Sequence, residues 1–147
     1  MRKTVAVDAS FLILLLDKRA RASIKNGTEE IARLIERLSN ENARVIVPTP
    51  SLADVLTRAP QAGQAYLEQI NKCACFQVRP FDDKAAIELA QLLGKAAVQQ
   101  RDILRFDRQI VAIAKVYGAS VLYSDDGKVA EFAAGCGLRT LCFKDFG

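Results

Sequence analysis

Short apolar runs that lead into carboxylates constrain this chain more than any other feature. Val5-Ala6-Val7 runs into Asp8, and Val121-Leu122-Tyr123 runs into Ser124-Asp125-Asp126. Between them, Arg44-Val45-Ile46-Val47-Pro48 is followed, one turn into the next helical segment, by Asp54. In a parallel sheet covered by helices the strands all point the same way, so residues just past their ends share one edge. Acids far apart in sequence are then expected to meet in space, joined by Asp107 at the start of a later helix. Gathered carboxylates repel one another unless a cation sits among them. An all-oxygen donor set points to Mg²⁺ or Mn²⁺, which makes metal-dependent phosphate chemistry the function to test.

The rest of the pattern agrees with such a sheet. Strands are predicted at 4–8, 44–47, 75–78, 120–123 and 139–143, with helical periodicity between them. Phe11 to Leu16 is apolar on all sides, as in a helix buried on most faces. Ile31, Leu34, Ile35 and Leu38 follow a helix start with Thr28 as cap and Glu29 and Glu30 in the first turn. Thr49-Pro50 opens a further helix, with threonine as N-cap and proline at the first helical position. Residues 63–71 form another. Asp82-Asp83 caps a long amphipathic helix through Ile87, Leu89, Leu92 and Leu93. Phe106, Ile110, Ile113 and Tyr117 form one stripe of a helix that Gly118 stops. A last helix covers about 127–134. The polar stretches 17–26 and 99–105 read as surface loops or helix ends. Alternation of strands and helices predicts an α/β fold: a three-layer α/β/α sandwich around a mostly parallel five-stranded sheet, as a single domain over 1–147.

Composition narrows the chemistry. A chain of 147 residues, 50% of them hydrophobic, can bury a sizeable core without staples. Its longest apolar run, Phe11 to Leu16, falls far short of the roughly 20 residues of a membrane span, and the start Met-Arg-Lys-Thr does not resemble a signal peptide. A soluble cytoplasmic protein with no membrane partner is expected. The chain has no histidine, which removes Ser–His and Cys–His nucleophile pairs and leaves carboxylates, metal, lysine or arginine. Cys73, Cys75, Cys136 and Cys142 match no common zinc spacing and are expected as buried free thiols. The net charge of +4 understates the basic character of the surface if the acids lie in one site, and that suits a polyanionic partner.

Each acid also has a purely structural account. Asp8 can cap the helix after it, Asp107 benefits from the dipole of its own helix, and Asp125-Asp126-Gly127 can be a turn and cap. Asp54 can lie on a solvated face with Ser51 and Arg58. Capping alone does not require several strand ends to feed acids to one edge.

Taken in order, Val5-Ala6-Val7-Asp8-Ala9-Ser10, the segment from Pro48 to Asp54, Phe106-Asp107-Arg108-Gln109-Ile110-Val111-Ala112-Ile113-Ala114 and Val121-Leu122-Tyr123-Ser124-Asp125-Asp126 resemble a PIN domain. The resemblance is closest to the VapC-type toxins and covers nearly the whole chain. It implies an endoribonuclease that uses one or two Mg²⁺ or Mn²⁺ ions and leaves 5′-phosphate and 3′-hydroxyl ends. It also implies a homodimer restrained by a small antitoxin. By position, Asp8 matches the family's first acid, Asp107 the third, and Asp126 the fourth in a Ser/Thr-x-Asp pattern. Ser10 and Ser124 match its supporting hydroxyls. Asp54 stands where the family usually has glutamate, and its shorter arm would reach the metal through water. Asp125 competes with Asp126 for the fourth role, and the spacing from Ser124 favours Asp126.

Arg101, Arg105, Arg108 and Lys128, close to these acids in sequence, are the candidates for RNA phosphate contacts. Phe106 and Tyr117 are assigned to the core rather than to base stacking. A haloacid-dehalogenase-like phosphotransferase would need a second aspartate at position 10, where this chain has Ser10. A stand-alone RNA-processing nuclease and a non-catalytic PIN fold that only binds RNA or protein remain as alternatives.

Overall fold

In the computed structural model, which describes residues 2–95 and 106–146, side chains alternate across one sheet. Strands β1 (Thr4–Val7), β2 (Arg44–Pro48), β3 (Phe76–Arg79), β4 (Val121–Tyr123) and β5 (Arg139–Leu141) lie in the order β3-β2-β1-β4-β5. Every pairing is parallel, with Val5 beside both Val45 and Val121, and Ala6 beside both Ile46 and Leu122. The helices are α1 (Ala9–Leu16), α2 (Lys18–Ala22), α3 (Gly27–Asn40), α4 (Thr49–Arg58), α5 (Gly63–Lys72), α6 (Asp83–Lys95), α7 (Phe106–Val116) and α8 (Gly127–Gly135). A 3₁₀ turn, Phe143–Phe146, follows β5.

The period of two along each strand builds two cores, one on each face. Val5, Val7, Val45, Val47, Val121 and Tyr123 pack against α1, α3, α4 and α5. Ala6, Ile46 and Leu122 pack against α6, α7 and α8. Because both faces are covered, the central strands read as unbroken apolar runs. The five-stranded, three-layer expectation holds, and the sheet is wholly rather than mostly parallel. No helix among the described residues is long and apolar enough to cross a membrane.

Several local expectations are corrected. Asn26, in the left-handed region at φ 60°, takes the cap position of α3, and Thr28 lies inside the helix. Pro48 precedes α4, so Thr49 is its first residue and not its cap. Part of 17–26 is helical: Asp17 caps α2 by accepting from the Arg19 amide at 2.8 Å, and Arg21 reaches back to the Leu14 and Leu15 carbonyls at the end of α1. Ile87 faces solvent, 61% exposed, because α6 buries Ala85, Leu89 and Leu92 instead. Cys73 and Cys75 are joined as a disulfide, not free, since the turn before β3 brings their Cα atoms to 5.3 Å, within bridging range. Cys136 and Cys142 are free but only half-buried.

Phe11 ties α1 to the end of β4. It is fully buried, and its ring centre lies 5.4 Å from that of Tyr123. Phe11→Ala is expected to lower the unfolding free energy by about 3–5 kcal/mol, the usual range for emptying a buried aromatic site. Urea denaturation measures it, and a loss under about 1 kcal/mol would contradict this packing.

Candidate active site

β1 has β2 on one side and β4 on the other, so the chain's connections diverge at its carboxyl end. In open parallel sheets that reversal of strand order leaves a crevice beyond the strand ends, and ligands bind there. Here the crevice is a cleft of about 380 Å³, and Asp8, Asp54, Asp107 and Asp126 all line it. Residues separated by as many as 118 positions are thus brought to one wall by the parallel topology, as the strand-end pattern predicts.

Asp8 sits at the floor and is only 3% exposed. Its Oδ1 accepts from the Ser10 hydroxyl at 2.6 Å and from the Phe11 amide at 3.1 Å, so it does cap α1. Its Oδ2 accepts from the Ser124 hydroxyl at the end of β4. Both serines also serve the β4 loop: Ser10 Oγ accepts from the Asp125 amide at 2.9 Å, and Ser124 Oγ accepts from the Asp126 amide at 3.0 Å. The two hydroxyls therefore lock the ends of β1 and β4 around one carboxylate. Burial pushes the Asp8 carboxyl above its ordinary range; the Ser10, Ser124 and Phe11 hydrogen bonds oppose that rise, and the nearby Asp126 charge adds to it.

The other acids approach from separate elements. Asp107, in the first turn of α7, is 8% exposed, and its Oδ2 lies 3.5 Å from the Arg108 guanidinium. Asp126 caps α8, with Oδ1 accepting from the Lys128 amide at 2.8 Å and the Val129 amide at 3.4 Å. Asp54 is half-exposed on α4 and ion-paired with Arg58 at 2.8 Å. Asp125, the rival for the fourth role, is not part of the cleft wall; its Oδ1 accepts from the Phe143 amide at 2.7 Å and holds the chain after β5.

The basic residues divide differently from the sequence expectation. Arg108 is folded inward, its guanidinium 4.3 Å from the centre of the Phe132 ring, so in this structure it supports Asp107 and α8 rather than facing solution. Lys128 is exposed. Arg101 and Arg105 lie outside the described residues. Two cleft residues went unrecognised in the sequence. Arg58 lines the cleft beside Asp54, and only the four-residue helical spacing between them hinted at a pair. Phe106, assigned to the core, is 60% exposed at the cleft instead, because the stripe of α7 begins to bury only at Ile110.

The donor set suits a hard cation. Every candidate ligand is a carboxylate or hydroxyl oxygen, the chemistry that Mg²⁺ and Mn²⁺ prefer. A carboxylate offers about four lone-pair sites, and the three donors on Asp8 leave it able to accept a further partner. Among the described residues, no three acidic side chains converge closely enough to ligate one ion directly. That arrangement fits an ion of the Mg²⁺ kind, which keeps several waters and takes only one or two carboxylates, with substrate phosphate completing its shell.

Neither a protein-family model nor a curated protein matches the sequence. Solved structures do match the fold. VapBC2 from Rickettsia felis, bound to a DNA fragment from its promoter, aligns with TM-score 0.66 at 12% identity over 95% of this chain and 98% of that one. DNA-bound VapBC from Salmonella typhimurium aligns with TM-score 0.62 at 20% identity over 97% and 98%. FitAcB from Neisseria gonorrhoeae aligns with TM-score 0.61 at 14% identity over 93% and 96%. At these identities the likeness is one of fold, and the fold is compatible with a VapC-like PIN domain.

The raised pKa of Asp8 has a consequence for stability in metal-free solution. The folded state holds the Asp8 proton more tightly than the unfolded chain does, so unfolding free energy falls as pH rises between the two pKa values. The proton's contribution is complete below the ordinary aspartate pKa and is lost once pH passes the raised folded value. Asp17, Asp82 and Asp145 have lowered values and slope the opposite way, so the parent must be compared with a variant that keeps them. With chelator present, Asp8→Asn is expected to remove the Asp8 part of the pH dependence and to gain relative to the parent as pH rises through that window. Parallel stability curves for the two proteins would contradict the raised pKa of Asp8.

Proposed function

We propose that this protein is a metal-dependent endoribonuclease of the VapC kind, the toxin of a toxin–antitoxin pair. The observation that carries the reading is the gathering of Asp8, Asp54, Asp107 and Asp126 on one cleft of an otherwise basic protein. Carboxylates that line one cleft repel both one another and RNA phosphates, and a divalent cation relieves both repulsions. The fold shared with VapBC and FitAB complexes, which are toxin–antitoxin assemblies, supports the same reading and a protein partner of the antitoxin type. A homodimer and a cytoplasmic location belong to the same proposal.

Asp8 and Asp107 are the residues that would hold Mg²⁺ or Mn²⁺ most directly, with Asp126 and Asp54 completing the site through bridging water. When bound, the ion supplies Lewis acidity toward the phosphate oxygens and makes water a better nucleophile at neutral pH. The chain's own part is positional. Ser10, Ser124 and the Phe11 amide fix both oxygens of Asp8, so the carboxylate does not reorganise when charge develops nearby. Arg108 restrains Asp107 from behind, with Phe132 beneath its guanidinium. Asp54, neutralised in part by Arg58, is too short to displace water from the cation and acts through a bridging water. Arg58 offers the cleft a positive group for a phosphate oxygen. Hydrolysis adds water across the P–O3′ bond and leaves a 3′-hydroxyl and a 5′-phosphate.

Metal binding gives the first test. Mn²⁺ or Mg²⁺ should raise thermal stability, by about 2.7 kcal/mol at a hundredfold excess over Kd. Calorimetry on the parent and on the double variant Asp8→Asn/Asp107→Asn decides the point, and an equal response in both would sink the metal site.

Cleavage of a mixed RNA then separates the acids by role. Asp8→Asn and Asp107→Asn should each abolish metal-dependent cleavage, since the amide keeps the shape but loses the charge. Asp126→Asn should be nearly as damaging while retaining its cap, because asparagine caps as well as aspartate. Asp125→Asn should be mild, as its amide oxygen can still accept from Phe143. Asp54→Glu should preserve or raise activity by lengthening the arm. Circular dichroism should report an intact fold in every variant. Full activity in Asp8→Asn would overturn the nuclease reading and leave a fold used only for binding.

A further inference from the structure

Phe106 is the first residue of α7 and the immediate neighbour of Asp107. It is 60% exposed, whereas Ile110 and Ile113 on the same helix are 6% and 0% exposed. An exposed aromatic ring taken singly means little. This ring, however, lines the same cleft as the four carboxylates, and among the described lining residues it is the one that offers a π face. The same cleft is also lined by the apolar side chains of Ala9, Ile13 and Ile110. The lining is therefore of two kinds: oxygen donors and Arg58 suit a cation and a phosphate, and the apolar side chains suit neither.

We propose that Phe106 is a stacking platform for a base of single-stranded RNA, set beside the phosphate that the acids act on. This rests on the ribonuclease reading above and adds to it how the substrate is held. A nucleotide next to a reacting phosphate carries a flat apolar ring that must leave water, and proteins that bind unpaired strands take it up on exposed aromatic faces. Phosphate contacts supply affinity but make no contact with the base itself, so an acid cleft alone leaves the base beside the reacting phosphate unheld. A ring one residue from Asp107 couples the two, because the backbone that positions the carboxylate also positions the base. The platform requires an unpaired base, which selects single-stranded over double-stranded RNA without reading sequence.

The test uses short single-stranded RNAs carrying 2-aminopurine at successive positions, bound with Ca²⁺ in place of Mg²⁺ to slow hydrolysis. The parent should quench the probe at one position. Phe106→Ala should abolish that quenching and weaken affinity about fivefold to a hundredfold, the range for losing one base–aromatic stack. Phe106→Leu, which keeps apolar bulk without a π system, should also fail to quench, and Phe106→Tyr should restore quenching. Mn²⁺ affinity by calorimetry should match the parent's in all three, which separates loss of the stack from damage to the cleft. Unchanged quenching and affinity in Phe106→Ala would overturn the proposal while leaving the ribonuclease reading intact. So would unchanged RNA affinity accompanied by altered sedimentation of the free protein, which would assign the ring to a protein interface. A parent that binds no RNA at all would remove both.

Discussion

The carboxylate of Asp8 is the point on which the site depends. A buried acid at a strand end is costly unless its oxygens are hydrogen-bonded, and here the donors come from three places: the Ser10 hydroxyl, the Phe11 amide of α1, and the Ser124 hydroxyl at the end of the neighbouring strand β4. Ser124 is 116 residues from Asp8, yet its hydroxyl is spent on it. Satisfying one acid thus holds the ends of β1 and β4 together at the place where the strand order reverses. The structural and functional accounts of Asp8 do not compete, because the same bonds that cap α1 aim the carboxylate into the cleft.

Around that anchor the remaining acids are held less tightly, each by its own local device. Asp126 is oriented by the amides of α8, Asp107 by its helix start and Arg108, and Asp54 by Arg58. Four elements therefore bring charge to the cleft without any direct bond between the carboxylates. Such an arrangement leaves room for water in a cation's shell, as an ion of the Mg²⁺ kind needs.

Pairs that look equivalent in sequence are separated by packing. Asp125 and Asp126 are adjacent acids after the same strand, but one turns to the Phe143 amide and the other to the cleft. Arg58 and Arg108 each stand near a carboxylate, but Arg108 is stacked on Phe132 and Arg58 remains 79% exposed along its side chain. Ser10 and Ser124, by contrast, behave as their positions beside Asp8 and Asp126 suggest, since short side chains next to a strand end have few other partners within reach.

The parallel sheet, its two covered faces and the convergence of acids at one edge were determined by the sequence, because period-two apolar runs and helical stripes are local patterns whose packing has few solutions. That Asp126 rather than Asp125 lines the cleft agrees with its spacing from Ser124. Tertiary structure alone decided which surfaces those helices leave open. Phe106 belongs to an apolar stripe by periodicity, yet it is 60% exposed and lines the cleft. Ile87 is likewise exposed, as α6 turns other residues to the core. The Cys73–Cys75 pairing and the inward fold of Arg108 depend on a turn and on a ring supplied by another helix. Periodicity reports which residues can be buried; only the assembled neighbours determine which of them are.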